Sequence, residues 1–223
     1  MSRMTIIGAL LGVLFISPVQ ASLSQVFINE LHYDNAGGDQ GEAVELAGMA
    51  GISLDGWQLA FYNGSNGTPY NIFSLSGMFD DTINGFGFLS FFVEGIQNGA
   101  PDGLALVMPD QQVSEFISYE GIIEAVTGPA SGLTSLDIGV SESAGSAISN
   151  SLYLAGTGVQ RSDFSWVAGE ASFAALNNNQ EFVASPSPVA AVPLPGALSL
   201  VSLPLLLLGW LSQDRTCLRK RPV

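Results

Sequence analysis

A chain of 223 residues with six basic and twenty acidic side chains carries a formal charge of −14, and its one cysteine excludes an internal disulfide. Arg3, Arg215, Arg219, Lys220 and Arg221, with the single acid Asp214, lie in the terminal segments, so residues 22–184 keep Arg161 against nineteen acids, a net charge of −18. A body without lysine cannot neutralise phosphates, which excludes nucleic acid held by charge; such acidity favours solubility and attracts divalent cations.

In chain order, Arg3 provides a small positive start and residues 6–16 form an apolar run of signal-peptide length. Pro18 and Val19-Gln20-Ala21 then resemble a cleavage site after Ala21, so residues 1–21 are expected to be a signal peptide and the body exported. Residues 22–184 are enough for one ordinary domain with its own core. Their punctuation is that of an all-β protein. Asn-Gly stands at 63–64, 66–67, 84–85 and 98–99, and Asp-Gly at 55–56 and 102–103; these pairs tolerate the positive φ of tight turns. Between them, strands are predicted over 26–32, 43–47, 57–62, 86–93, 104–107, 113–119, 151–154 and 164–167. Short ones follow from the same pattern at 136–140 and 181–183. Trp57, Leu59 and Phe61 alternate with Gln58, Ala60 and Tyr62, which defines an inner face. Residues 86–93 are apolar on both faces, the pattern of a central strand. Residues 121–145, rich in Gly, Ser and Ala, read as a long connection. Many short strands and no helical periodicity predict a sandwich or barrel.

The acidic loop 34–45 is the best candidate site. Asp34, Asn35, Asp39 and Glu42 offer hard oxygen ligands, and Gly37, Gly38 and Gly41 would let the backbone wrap one calcium ion. The spacing is not that of an EF-hand, and a solvated loop whose acids cap turns is the alternative. Asp102 is either a further ligand or a turn aspartate. No other cofactor is expected. His32 is the only histidine, which excludes two-histidine schemes; no G-x-S-x-G elbow and no phosphate-binding glycine loop is present. Nineteen acids leave paired-carboxylate chemistry open. Asn63-Gly64-Ser65 and Asn66-Gly67-Thr68 have the form of glycosylation sequons and are read as turns.

The C-terminal segment has three parts. Residues 185–195 form a Pro-rich linker. Residues 196–211 are an apolar run that, counted from Val192, reaches about the 20 residues a bilayer needs. Residues 212–223 are a basic tail expected to stay cytoplasmic. Val192-Pro193-Leu194-Pro195-Gly196-Ala197, the span and Arg219-Lys220-Arg221 together resemble the PEP-CTERM sorting signal in its VPLPA variant. Leu194 stands where the main form has Glu, and Gly196 where the variant usually has Ala. That resemblance implies a Gram-negative, exopolysaccharide-producing setting and processing near Pro193–Gly196 by an exosortase-like enzyme. It also implies transient inner-membrane anchorage facing the periplasm, then release to the surface or matrix.

Inside the body, residues 28–35 (Ile-Asn-Glu-Leu-His-Tyr-Asp-Asn), 41–46 (Gly-Glu-Ala-Val-Glu-Leu), 54–59 (Leu-Asp-Gly-Trp-Gln-Leu) and Asp163-Phe164-Ser165-Trp166 resemble the lamin-tail domain of bacterial extracellular proteins. The resemblance runs over residues 26–183 and implies an immunoglobulin-like β-sandwich. It marks a fold and not a function. Two functions are therefore carried forward. One is an exported, non-catalytic surface or matrix module that binds polysaccharide, a surface partner or calcium. The other is a secreted hydrolase, carboxylate- or metal-dependent, acting on phosphoesters or glycosides.

Overall fold

Alternating side chains and turn-forming pairs resolve into eleven strands in the computed structural model, which describes residues 26–183. The expected signal peptide, linker, sorting motif (Val192, Pro193, Leu194, Pro195, Gly196, Arg219, Lys220, Arg221), membrane helix and basic tail lie outside the described residues. The strands are β1 (Val26–His32), β2 (Ala43–Met49), β3 (Gln58–Asn63), β4 (Thr68–Ser74), β5 (Phe86–Phe92) and β6 (Asp102–Val107). They continue with β7 (Val113–Tyr119), β8 (Leu136–Asp137), β9 (Asn150–Gly158), β10 (Phe164–Glu170) and β11 (Gln180–Phe182). Among the described residues there is no α-helix, only a 3-10 turn at Arg161–Asp163.

Two sheets share one core, which makes the body an all-β sandwich. A six-stranded sheet runs β10-β9-β1-β2-β5 with β11 parallel to β9, and a five-stranded sheet runs β4-β3-β6-β7-β8. The alternation of β3 shows how the layers form. Leu59 and Phe61 enter the core between the sheets, where they meet Leu31, Leu46, Leu104 and Ile117. Ala60 and Tyr62 face the other way and are buried too, beneath Ile123, Ala125 and Ala130. Residues 121–135 therefore roof the outer face of the five-stranded sheet and give it a second, smaller core. Tyr62 fastens the roof, its Oη donating to Thr127 O (3.0 Å) and accepting from Ala130 N–H (2.8 Å).

Several expectations about individual segments need correction. Residues 86–93 were expected to be a central strand, but β5 is an edge of the six-stranded sheet. Its double-sided apolarity is used differently: Phe86 and Phe88 pack on Phe182, and Phe91 packs on Phe73. Residues 79–83 shield part of that edge so closely that a Cβ on Gly87 would fall 2.1 Å from Asp80 O. The central strand is β1, buried at every position. Asp102-Gly103 opens β6 and makes no turn. The Asp102 carboxylate instead accepts Gly64 N–H (2.9 Å) and Gly99 N–H (2.6 Å), tying two neighbouring loops together. Strand β4 was not expected; it contains Pro69, which removes a ladder donor, and at a sheet edge that loss is tolerated. Asn84-Gly85 behaves as its residues require: both have positive φ (50° and 86°) and close a two-residue hairpin between Ile83 and Phe86.

An arginine–glutamate ion pair joins the layers. Arg161 Nε donates to Glu115 Oε1 at 2.7 Å, and Glu115 Oε2 accepts the N–H of Ile28 across the interface at 2.9 Å. Burial pushes the Glu115 carboxyl up, and the Arg161 charge pulls it back. The guanidinium also lies 5.6 Å from the Trp166 ring centre. Arg161, the one arginine in a body without lysine, is thus spent on architecture.

Candidate functional site

Strands β1, β3, β5 and β7 end, and β2 and β6 begin, at one end of the sandwich. The loops 33–42 and 93–101 and the segment following β7 therefore gather there. Tyr33 and Tyr119 stack across the two sheets with centroids 3.8 Å apart, and Tyr119 Oη donates to Gln97 O. Burial drives both phenols up, so both stay neutral donors.

Glu142 is the hub of this end. Its Oε2 accepts the N–H groups of Tyr33 (2.6 Å) and Asp34 (3.1 Å), and its own N–H donates to Tyr33 Oη (2.8 Å). Its Oε1 stands 2.7 Å from Nδ1 of His32, a residue only 1 % exposed. Burial works against the charged imidazole, but the Glu142 hydrogen bond and charge outweigh it and raise its pKa above the ordinary value. A carboxylate aligned on Nδ1 is the base-and-orienter arrangement of many hydrolases. Here the other nitrogen is taken: Nε2 lies 3.2 Å from Gln40 O and 3.0 Å from Asn35 Nδ2. With both nitrogens engaged inside the protein, His32 holds the 35–40 loop and offers no lone pair to a substrate.

The four oxygen ligands expected for calcium do not converge. Asp34 and Asp39 meet: desolvation, then the charge and hydrogen bond of Asp39, raise the Asp34 carboxyl. Asn35 donates its N–H toward Asp39 Oδ1 at 3.4 Å, but its side-chain amide turns inward to Gln40 O (2.9 Å) and His32. Glu42 is engaged by the 93–97 loop, its Oε2 accepting Gly95 N–H at 2.7 Å. Asp102 is engaged by the two loop N–H groups described above. Among the described residues, no group of three or more His, Cys, Asp or Glu side chains stands close enough to hold a metal. What is left of the expected set is the Asp34–Asp39 pair.

Between the 39–42 and 92–97 segments opens a cavity of about 700 Å3, lined among others by Asp39, Gln40, Glu42, Phe92, Glu94 and Gln97. Its size is that of small-molecule sites, about 300–1,000 Å3. Glu42 lines it while only 8 % exposed, and its Oε1 has no hydrogen-bond partner. Burial raises the Glu42 carboxyl, partly offset by the N–H groups of Gly95 and Ile96.

A second polar cluster was not foreseen. Glu30 and Glu45 sit directly opposite each other on β1 and β2, both without solvent exposure. Residues 171–180 cover them. Glu30 Oε1 accepts Ser151 Oγ (2.5 Å) and Ser172 N–H (2.7 Å). Glu45 accepts Asn29 Nδ2 (2.9 Å), Ser90 Oγ (2.8 Å) and Ala174 N–H. Asn29 receives Gln180 Nε2 at 2.6 Å, and a register shift between Ile28 and Glu30 marks its place in β1. Desolvation raises both carboxyls, that of Glu45 to about 7. The signal in the sequence was two glutamates inside strands rich in apolar residues. Paired carboxyls suit acid–base catalysis only where substrate can reach them, and these are sealed.

Comparison with family models, curated proteins and solved structures finds no match for this chain.

Proposed function

We propose that the chain is an exported, non-catalytic binding module, an immunoglobulin-like sandwich of the lamin-tail kind. It is delivered to the surface or matrix through an exosortase-type sorting signal. The observation that carries this reading is the internal use of its reactive groups. His32 has both nitrogens occupied, Glu30, Glu45, Glu115 and Glu142 accept donors from the surrounding chain, and Arg161 is bound to Glu115. Stabilising charge in a hydrolytic transition state needs free donors or metal ions. This body spends its donors on its own acids.

The hydrolase alternative keeps one foothold, the acid-lined cavity. One assay series separates the two. The purified chain is incubated with polysaccharides, nucleic acids and a chromogenic phosphodiester in calcium, magnesium, manganese or chelator, and melted in each. The module reading expects no turnover. It expects calcium to raise the melting temperature above magnesium at equal ionic strength where Asp34 and Asp39 hold an ion. Turnover abolished by Asp34→Ala or Glu42→Ala would replace the module with an enzyme.

Sorting is tested separately. In a host with an exosortase, mass spectrometry of the mature protein should find Met1–Ala21 removed and a new C-terminus near Pro193–Gly196. An intact Val223 there contradicts the sorting proposal.

A further inference from the structure

An Asn-Gly pair is chemically labile as well as turn-forming. The glycine nitrogen can lose its proton and attack the asparagine Cγ, closing a cyclic imide, while the side-chain nitrogen takes up the proton and leaves as ammonia. Water then opens the imide to aspartate or isoaspartate, with no enzyme or further reactant. The chain has four such pairs, at 63–64, 66–67, 84–85 and 98–99. Two of them converge on one carboxylate. Asp102 Oδ1 accepts Gly64 N–H at 2.9 Å and Oδ2 accepts Gly99 N–H at 2.6 Å, and Asp102 itself is only 3 % exposed. Packing keeps both glycines in place: a Cβ on Gly64 would lie 2.0 Å from Pro101 O, and one on Gly99 would lie 2.7 Å from Asp102 Oδ2. Both asparagines also tie down the 93–101 loop. Asn63 Nδ2 donates to Gln97 Oε1 at 2.6 Å, and Asn98 Nδ2 donates to Asp39 Oδ2 at 3.4 Å. Conversion of either amide to an acid would set a carboxylate against an acceptor and cut that tie.

We propose that Asn63 and Asn98 are latent sites of spontaneous deamidation, and that the Asp102 carboxylate suppresses both by holding the two attacking nitrogens protonated and turned away. Two effects act together. The N–H bond to a charged acceptor must be given up before the nitrogen can reach Cγ. Negative charge growing on that nitrogen is also opposed by the carboxylate beside it, in a part-buried setting where water screens poorly. A charge-assisted hydrogen bond of this kind slows the attack by about tenfold or more. The other two pairs are held by different groups, Gly67 N–H by Asn63 O at 2.9 Å and Gly85 N–H by Asp81 Oδ1 at 2.9 Å. They are internal references for any change made at Asp102. The inference holds for a binding module and for a hydrolase alike, since it concerns the lifetime of the loops and not their ligand.

The test is peptide mapping by mass spectrometry of the full chain in detergent, wild type and Asp102→Ser, sampled over weeks at pH 8, both folded and in urea. Serine removes the charge and the reach of the carboxylate without creating a further Asn-Gly pair, as asparagine would beside Gly103. In the folded variant, deamidation at Asn63 and Asn98 should rise about tenfold or more relative to Asn66 and Asn84 of the same molecules. Taking the ratio within one molecule cancels general loosening, and in urea the two proteins should react alike. The wild type supplies an arm that needs no substitution: Asn63 and Asn98 should react at least about tenfold more slowly folded than in urea. Wild-type Asn63 and Asn98 reacting as fast folded as unfolded overturns the proposal. So does an Asp102→Ser protein whose four sites accelerate together, or whose Asn63 and Asn98 keep their wild-type rates.

Discussion

Glu142→Ala should destabilise the fold by about 4 kcal/mol, the largest effect expected of any single acid in the body. The side chain removes three needs at once: the N–H groups of Tyr33 and Asp34, and Nδ1 of His32. Deleting it leaves two buried backbone donors without an acceptor, each costing about 1–3 kcal/mol, and takes away the partner that favours the charged imidazole. The damage should spread along the 33–42 loop, because His32 and Asn35 jointly hold Gln40 O. Urea unfolding at pH 6 measures the loss. Glu142→Gln retains one acceptor oxygen and should lose about half as much. A loss under about 1 kcal/mol for the alanine variant would show that water replaces Glu142, and the hub would have to be abandoned.

The second large effect is a stability that falls as pH rises. Glu45 ionises near 4.5 when unfolded and at about 7 when folded, so the native state holds its proton more tightly. A group of that kind contributes fully below the unfolded value and loses its contribution as pH climbs through the folded one. Between pH 5 and pH 8 the loss through Glu45 amounts to about 2–3 kcal/mol. Glu30 is shifted the same way by desolvation. His32, raised through Glu142, adds a loss of the same sign at higher pH, where its imidazolium is discharged. Most acidic proteins would be expected to weaken in acid; this one should be firmer at pH 5 than at pH 8. Glu45→Gln should flatten most of that slope, at the expense of some stability at pH 5, where an amide N–H2 faces the Ser90 and Ala174 donors. A wild-type protein more stable at pH 8 than at pH 5 contradicts the assignment.

What could be read from the chain was local. The pairing Asn84-Gly85 demands two positive φ angles, and a two-residue hairpin follows from that demand alone. Leu59 and Phe61 alternate with Ala60 and Tyr62, so the inner face of β3 was visible in a short string. What lay on the outer face was not, because the roof formed by Ile123, Ala125 and Ala130 arrives from some sixty residues downstream and has no period of its own. The edge position of β5 was hidden for a related reason: its apolar outer face is matched by Phe182, a residue from the far end of the domain. At the candidate site, the acids of the 34–45 loop were named from composition, but direction is not in the composition. Asp34 and Asp39 turn toward each other, Asn35 turns in to His32, and Glu42 turns to Gly95. Glu30 and Glu45 fall within the strand segments 26–32 and 43–47, yet their meeting depends on the β1–β2 register, which only the folded sheet supplies.

The way the domain ends has a mechanical meaning. Strand β11 is three residues long, runs parallel to β9 and pairs at Gln180, Glu181 and Phe182. The ring of Phe182 is wedged among Phe27, Phe86, Phe88 and Phe164, at centroid distances of 4.4–6.4 Å. Asn84 Nδ2 grips Phe182 O from the neighbouring hairpin at 2.5 Å. Tension drawn through the C-terminal side enters at Val183 and loads that ring together with the three-residue ladder to β9. Phe182 is therefore a latch: it couples the hairpin at Asn84, the end of β9 and the start of β10 to a pull from outside, and shares the strain among them.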